Sequence, residues 1–429
     1  MPMDNRTRAV PDHVAVVGGG MVGLCVAWFL QDHGVRVTVF DRDRLTRGAD
    51  PAGAGSSWGN AGWLTPSLTT PLPDPAVLRY GLRVLWRSDS PVYVPPVADM
   101  ALARFVAGFV RHSTQRHWQA AMRALAPLTR SALGAFDDLA AGGVSAPTRA
   151  AAPLLAGYQR RADLDVLLAE LAEVRAAGQR ADVDVLDPVT ARDLEPLLGE
   201  NVRYVVALHG QRFTDPGRFV AALADSVRER GGVLHESTAV DALRPAAEHV
   251  EVDTSPASAA CAVDAVVLAT GAWLPRLGGP FGIRRPVQAG RGYSFHVATP
   301  QPPSGPIYFP ASRVACTPIG AGLRVAGMME FRAPDAPLDP RRIQAVVTAT
   351  RGLLRGVDLD RRTHEWVGPR PCTPDGLPLV GRTSSPRVFA AGGHGMWGIT
   401  LGPVTGRLLA DAIVTGRAVP ELAPFDPLR

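Results

Sequence analysis

Apolar residues fall into two rhythms along this chain, short unbroken runs and stripes at helical spacing, and their alternation sets out the expected elements. Val14 to Val17 is a run. Gly18-x-Gly20-x-x-Gly23 follows and opens a helical pattern of Leu24, Ala27, Trp28 and Leu30, after which a second run, Val35 to Phe40, ends on Asp41. The rhythm predicts strand, tight turn, helix, strand, acid. Residues 44–75 are dense in Gly, Ser, Thr, Asn and Pro and read as a loop, either on the surface or walling a ligand. Helical patterns dominate from Ala76 to Ala140, the best being Ala101 to Val110, with Leu102, Phe105, Val106, Phe109 and Val110 on one face. A strand is expected at Ala152 to Gln159, then a helix at Asp163 to Ala177 that Gly178 stops.

Nucleotide-like rhythm resumes at about Gln211. Asp215-Pro216 reads as a cap followed by proline at the first helical position, and Gly231-Gly232 closes that helix before a strand, Val233 to His235. Another strand, Val263 to Leu268, runs into Ala269-Thr270-Gly271, a small-residue turn that lets backbone pass a ligand or simply ends the strand. After Pro286 the pattern alternates as in an antiparallel sheet: Tyr293, Phe295 and Val297, then Ile307 to Phe309, Val314 to Ile319 and Leu323 to Met328. A helix is expected near Arg341 to Leu354. A last one begins at about Thr400 or Leu401, with Val404, Leu408, Leu409 and Ile413 inward.

The first unit carries chemistry. Gly18 allows a tight turn, Gly20 lets backbone N–H groups approach a pyrophosphate, and Gly23 lets helix and strand pack closely. The helix N-terminus faces the phosphates, and Asp41, about 20 positions on, suits ribose hydroxyls. An adenine dinucleotide is the expected ligand.

Composition narrows the class. At 429 residues, 46% hydrophobic and 20% charged, the chain reads as a globular protein of two domains. Net charge is +5 and pI about 9.4, but the arginines are scattered, which favours a solvated basic surface over a nucleic-acid site. Cys25, Cys261, Cys316 and Cys372 form no CxxC pair, so no metal site is expected and the thiols fit a reducing compartment. Arg6, Arg8 and the uncharged run Val14 to Leu30 imitate a signal peptide, yet cleavage there would delete the glycine turn. The expectation is a cytoplasmic protein with a disordered leader, Met1 to Pro11. The basic helix around Phe105 to Arg111 reads as core packing or a loose membrane contact.

Two late segments are more specific. Residues 366–381 read WVGPRPCTPDGLPLVG, and residues 390–416 read AAGGHGMWGITLGPVTGRLLADAIVTG. Together with GGGMVG, the Ser-Ser-x-Gly-Asn-Ala-Gly loop at 56–62, Gly292-Tyr293-Ser294, and Leu323-Arg324-Val325-Ala326-Gly327 ahead of Glu330, they make the chain resemble the FAD-dependent D-amino-acid oxidase superfamily. It is most similar to the D-amino-acid dehydrogenase small-subunit-like branch, and the likeness spans nearly the whole chain.

The resemblance implies an α/β (α+β overall) fold. An interrupted Rossmann-like FAD-binding domain (12–72, 200–285, 363–429) would carry a mixed, mostly antiparallel substrate domain (73–199, 286–362). Gly18, Gly20, Gly23, Asp41 and Arg42 would hold the ADP half, Val240 the adenine side, and Ala269, Thr270 and Gly271 the diphosphate or ribose. Ser56, Ser57, Asn60, Ala61 and Gly62 would flank the isoalloxazine. So would Gly368, Gly393, His394, Gly395, Met396, Gly398, Ile399 and Thr400. Cys372 does not fall where some relatives attach flavin covalently, so non-covalent FAD is expected.

Arg370 matches the arginine that receives the substrate carboxylate. A guanidinium between Gly368 and Pro371 suits that role, although the residues alone equally allow an ion pair with Asp375. Tyr293 and Tyr308 are candidates for closing the pocket, and His394 for a donor or aromatic wall. The expected activity is oxidation of the Cα–N bond of a small amino or imino acid, a D-amino acid first, by hydride transfer to flavin N5. The electron acceptor is a quinone, a dye or O2. Alternatives are an oxidase of glycine, sarcosine or proline-type amines, an NAD-dependent dehydrogenase, and a flavin-binding domain acting on nucleic acid.

Overall fold

Residues 14–17 alternate between two cores, which is why they form an unbroken apolar run: Val14 and Val16 face one side of a parallel sheet, Ala15 and Val17 the other. A computed structural model describes residues 10–45, 55–75, 78, 91–95, 99–301 and 303–429. The expected leader therefore lies outside the described residues up to position 9, as do 46–54 of the Gly/Ser-rich loop and 76–77, 79–90 and 96–98 of the expected helical stretch.

The six-stranded sheet runs Val233–His235, Arg36–Phe40, His13–Val17, Ala265–Leu268, Val388–Gly392 and Leu379–Arg382, parallel except for the last strand. Helices Met21–Asp32, Pro216–Glu229 and Gly398–Thr415 cover one face, and the three-stranded sheet Ala239–Pro245, Val250–Ser255, Cys261–Val263 covers the other. Asp215 caps its helix as expected, its carboxylate accepting from Gly217 N and Arg218 N. Trp28 fills the space between helices, with Nε1 donating to Ser226 Oγ at 3.1 Å. The long helix Gln115–Ala141 also packs here, through Leu128, Ala132 and Phe136.

The second sheet has nine strands. Its order is Thr363–Cys372, Gln288–Ala298, Gly322–Phe331, Val314–Ile319, Ile307–Phe309, Leu154–Tyr158, Tyr204–Leu208 and Val183–Leu186, with Val92–Tyr93 beside Gly322–Phe331. It is antiparallel except where Ile307–Phe309 meets Leu154–Tyr158 and Val92–Tyr93 meets its neighbour. Hydrogen bonding thus joins Tyr204–Leu208 and Thr363–Cys372 to this sheet, whereas the expected boundaries at 200 and 363 grouped both with the nucleotide segments. Helix Pro340–Thr350 packs on one face and helix Arg161–Ala176 on the other. Helix Met100–His112 buries only Leu102 and Phe105; Val110 at its far end is 46% exposed, so the apolar stripe is a wall more than a core. No helix among the described residues is long and apolar enough to cross a membrane.

Asp375 ties the end of the chain to this frame, with Arg429 Nε at 3.1 Å and Arg285 Nη1 at 3.4 Å. Burial raises its pKa, but the two guanidinium groups outweigh burial and hold it below the ordinary carboxylate value. Because the folded pKa is depressed, the stabilisation is full above about pH 4 and is lost as pH falls through the folded value. Asp375→Asn is expected to lower unfolding free energy by on the order of 1–3 kcal/mol at pH 7. Denaturation curves taken from pH 7 to pH 2 should show the gap between variant and wild type closing only at the acid end.

Candidate active site

Three glycines with three different surroundings shape a groove at the C-terminal ends of the parallel strands. Gly18 has φ +113° and donates to Phe40 O at 2.8 Å; a side chain there would strike the Ala269 carbonyl. One at Gly23 would strike the Gly18 carbonyl, which is the close helix–strand contact expected of that position. Gly20 is different: a Cβ would meet only Ser57 Oγ, at 3.6 Å, and would stand in the groove. The helix that begins at Met21 has no acid in its first turn, so its positive end is not neutralised by a side chain, and Met21 N donates to Ser57 Oγ at 3.3 Å.

Asp41 accepts from Gly19 N at 2.6 Å and Asp43 N at 2.8 Å, so it braces the glycine turn as well as lining the groove. Arg42 lies over the Trp273 ring at 3.8 Å and pairs with Asp335 at 2.9 Å. Val240, Ala269, Thr270 and Gly271 form the opposite wall, and the Thr270 hydroxyl is buried without a protein partner.

Ser56, Ser57 and Asn60 line the groove, while Ala61 faces a second cavity. Gly62 lines neither; its Cα packs against Thr214 and Pro216 and its N–H donates to Asn60 Oδ1 at 2.9 Å. This loop is gripped from the nine-stranded sheet by three side chains to which motif reading gave no role. Arg324 Nη1 donates to Trp58 O at 2.8 Å and Asn60 O at 3.0 Å, Ser294 Oγ to Gly59 O at 2.8 Å, and Thr317 Oγ1 to Ala61 O at 2.6 Å. Cross-strand pairing of Ser294 with Ala326, and of Arg324 with Thr317, sets them on one face. Ser294 and Arg324 lay inside matched motifs, but only the pairing shows what they hold.

On the far side, His394, Gly395, Met396, Gly398 and Ile399 line the groove. Gly393 does not, backing onto Thr373, and neither does Thr400. The helix starts at Gly398 after a 3₁₀ turn at Gly395–Trp397, earlier than the expected Thr400 or Leu401. Thr400 looks like a cap residue, but its hydroxyl donates to Trp63 O at 3.0 Å. His394 Nε2 lies 3.0 Å from Thr405 Oγ1, its Nδ1 is buried without a partner, and burial pushes its pKa down to about 4. It is neutral near pH 7.

Arg370 lines both cavities. Its guanidinium occupies the space a Gly292 side chain would take, and Nη1 donates to Met328 O at 2.7 Å. Met328 has φ +67° where the strand register slips, which turns that carbonyl toward the arginine. Burial lowers the guanidinium pKa, and no carboxylate among the described residues pairs with it. The ion pair with Asp375 that the residues alone allowed does not form, because Asp375 is engaged by Arg429 and Arg285. Gly368 lines neither cavity and instead makes room for the Trp366 ring.

The two tyrosines part. Tyr308 faces the second cavity, edge-on to Trp63 at 5.1 Å. Tyr293 corrects the expectation: it alternates onto the opposite face from Gly292 and Ser294, fully buried, with its hydroxyl donating to Glu330 Oε2 at 2.6 Å beside Arg291. Cys372 is buried against Gly290 and lines neither cavity, and among the described residues no group of acids, His and Cys is placed to hold a metal.

An open glycine turn at an acid-free helix N-terminus, an orphaned Thr270 hydroxyl and an unpartnered His394 nitrogen fit a dinucleotide carrying a flat ring. Comparison with known proteins agrees. The family model described as DAO, FAD dependent oxidoreductase, matches residues 13–412. Proteins named D-amino acid dehydrogenase from Cereibacter sphaeroides and Xanthobacter autotrophicus are each 30% identical, covering 96% of this chain and 94% and 97% of their own. Among solved structures, glycine oxidase from Geobacillus kaustophilus superposes with a TM-score of 0.72 at 24% identity, covering 98% of each chain. L-proline dehydrogenase from P. horikoshii does so with 0.68 at 18%, again covering 98% of each. These likenesses show the same fold. The chain belongs to the DAO family of FAD-dependent oxidoreductases and acts on amino acids.

Proposed function

We propose that the protein is a D-amino-acid dehydrogenase, with Arg370 receiving the α-carboxylate of the substrate. The observation that carries this reading is an enclosed guanidinium at the junction of two cavities, held by one backbone carbonyl and, among the described residues, by no carboxylate. Its planar fork is suited to two parallel hydrogen bonds with a carboxylate. FAD, when bound, accepts the hydride that leaves Cα, and the product imine hydrolyses to oxo acid and ammonia.

The chain's own residues bind and orient. Gly18, Gly20 and the Met21 helix N-terminus would take the diphosphate; Asp41, Thr270 and Gly271 would meet ribose or phosphate oxygens. The gripped loop at Ser56 to Ala61 and the segment from His394 to Ile399 would flank the flavin ring without a covalent bond to Cys372. Met328 O and Gly292 fix the direction of Arg370. Tyr308, Trp63 and Trp397 line the cavity beside it. A neutral His394 offers a hydrogen bond without adding charge. The acceptor that follows is a quinone or dye in preference to O2, on the names of the relatives that match over nearly the whole chain.

Purified protein is expected to be yellow and to release FAD on denaturation. Gly20→Val should keep the thermal stability of the flavin-free wild-type protein, since the fold leaves room for the side chain, yet bind no flavin; full flavin occupancy in that variant would sink the assignment of the groove.

Arg370→Ala should retain the flavin spectrum while losing on the order of 2–5 kcal/mol of substrate interaction. Anaerobic flavin reduction by D-amino acids would then slow roughly 30- to 3000-fold, with Arg370→Lys recovering part. Normal reduction by Arg370→Ala would make the arginine structural.

Reduced enzyme exposed to air should reoxidise slowly compared with the same enzyme given a soluble quinone. Rapid reoxidation with stoichiometric peroxide would mark it as an oxidase.

A further inference from the structure

We propose that Trp366 is a positioning residue: its indole sets the spacing between the loop at Ser56 to Gly62 and Arg370, and so governs the rate of hydride transfer more than the binding of either ligand. This rests on the readings of that loop as a wall of the flavin ring and of Arg370 as the α-carboxylate site. Trp366 is 5% exposed and lines neither cavity, so it acts through what it supports.

Three glycines mark the arrangement. None of Gly59, Gly292 and Gly368 has a φ in the left-handed region, so what each position uses is the missing side chain and not conformational freedom. A Cβ on Gly59 would strike Cγ, Cδ2 and Cε3 of the Trp366 indole, and one on Gly368 would strike its outer atoms, Cζ2 and Cη2. One on Gly292 would strike the Arg370 guanidinium.

Strand pairing explains why these contacts converge. Trp366, Gly368 and Arg370 alternate onto one face of Thr363–Cys372, and Ser294, Gly292 and Gly290 stand directly opposite them on Gln288–Ala298. The Ser294–Trp366 pair therefore holds Gly59 twice: Ser294 Oγ donates to its carbonyl at 2.8 Å, and the indole packs against its Cα. In the next pair along, the indole lies over Gly368 and the guanidinium over Gly292. Ser57, Trp58 and Asn60 line the groove from the front of the loop, while Gly59 rests on the indole behind it. The indole Nε1 is buried and has no hydrogen-bond partner, so the ring contributes its shape. A change in that shape would move the groove wall relative to Arg370 and leave the hydrogen bonds of each in place, those from Arg324, Ser294 and Thr317 to the loop and that from Arg370 to Met328 O.

The test is anaerobic flavin reduction in the holoenzyme with D-alanine, D-norleucine and D-phenylalanine as probes, beside the FAD dissociation constant and the visible circular dichroism of bound FAD. Trp366→Phe should lower the limiting rate at saturating substrate about tenfold, the scale of loss that a displacement of less than an ångström produces, and should alter the dichroism. The half-saturating concentration and the FAD dissociation constant should stay within about threefold of wild type, whereas Arg370→Ala should raise the half-saturating concentration. Gly59→Ala, which pushes the loop off the same ring, should show the same split as Trp366→Phe and carries the test should that variant fail to fold. Gly368→Ala should also slow reduction, but combined with Trp366→Phe it should be no slower than Trp366→Phe alone, because phenylalanine lacks the outer ring atoms that the added methyl would strike. Limiting rates within about twofold of wild type in Trp366→Phe and Gly59→Ala would overturn the inference, as would a loss confined to FAD affinity, or Gly368→Ala and Trp366→Phe losses that multiply. An unchanged half-saturating concentration in Arg370→Ala would instead overturn the reading of Arg370, and reduction by no amino acid would overturn both.

Discussion

A guanidinium enclosed at the meeting of two cavities, and ending on one backbone carbonyl, is the constraint around which the rest of this molecule is arranged. Removing such a group from water costs far more than one hydrogen bond returns. The chain keeps Arg370 there by giving it a glycine to lie over and a carbonyl turned toward it by a left-handed Met328, and no carboxylate among the described residues pairs with it. The acid beside it in sequence, Asp375, is drawn off by Arg429 and Arg285. The placement of the guanidinium is therefore a property of the fold, and it leaves the planar fork free of any carboxylate among the described residues.

The two sheets are made into one site by a short loop. The parallel sheet supplies the dinucleotide groove through local geometry: a strand, a glycine turn and a helix with no acid in its first turn. The antiparallel sheet supplies Arg370 and the second cavity. Between them runs Ser56 to Gly62, with four of its carbonyls, those of Trp58, Gly59, Asn60 and Ala61, fastened by Arg324, Ser294 and Thr317. Arg324 is buried and its pKa is depressed to about 10 by that burial, so its bonds to backbone carbonyls are made in surroundings where they are strong. A flat ring placed against this loop is thereby registered to both sheets at once.

Charge is distributed with the same economy. The buried ion pair of Arg291 with Glu330, joined by the Tyr293 hydroxyl, lies on the face of the nine-stranded sheet turned away from Ser294 and Gly292. Among the described residues, the buried polar atoms along the groove that have no protein partner include the Thr270 hydroxyl and His394 Nδ1. Net charge of +5 says little about any of them, because function depends on which charges lack a partner.

Much of this was legible in the sequence where the information is local. The Val14 to Asp41 unit, the Asp215-Pro216 cap and the alternating strands after Pro286 each follow from a period of two or 3.6 residues and from capping chemistry, and each stands as expected. The family motifs located the loop at 56–62 and Arg370. Other matters were settled only by the tertiary structure. Tyr293 turned to the core because Gly292 and Ser294 took the site face. Thr400 gave its hydroxyl to Trp63 instead of capping a helix. Asp375 found Arg429, Arg324 found a loop more than 260 positions away, and Glu170, Tyr158 and Arg313 met around one cavity. The physical reason is common to all of these: a side chain's face is set by its neighbours in the chain, but its partner is set by strand pairing and packing between segments that no local period connects.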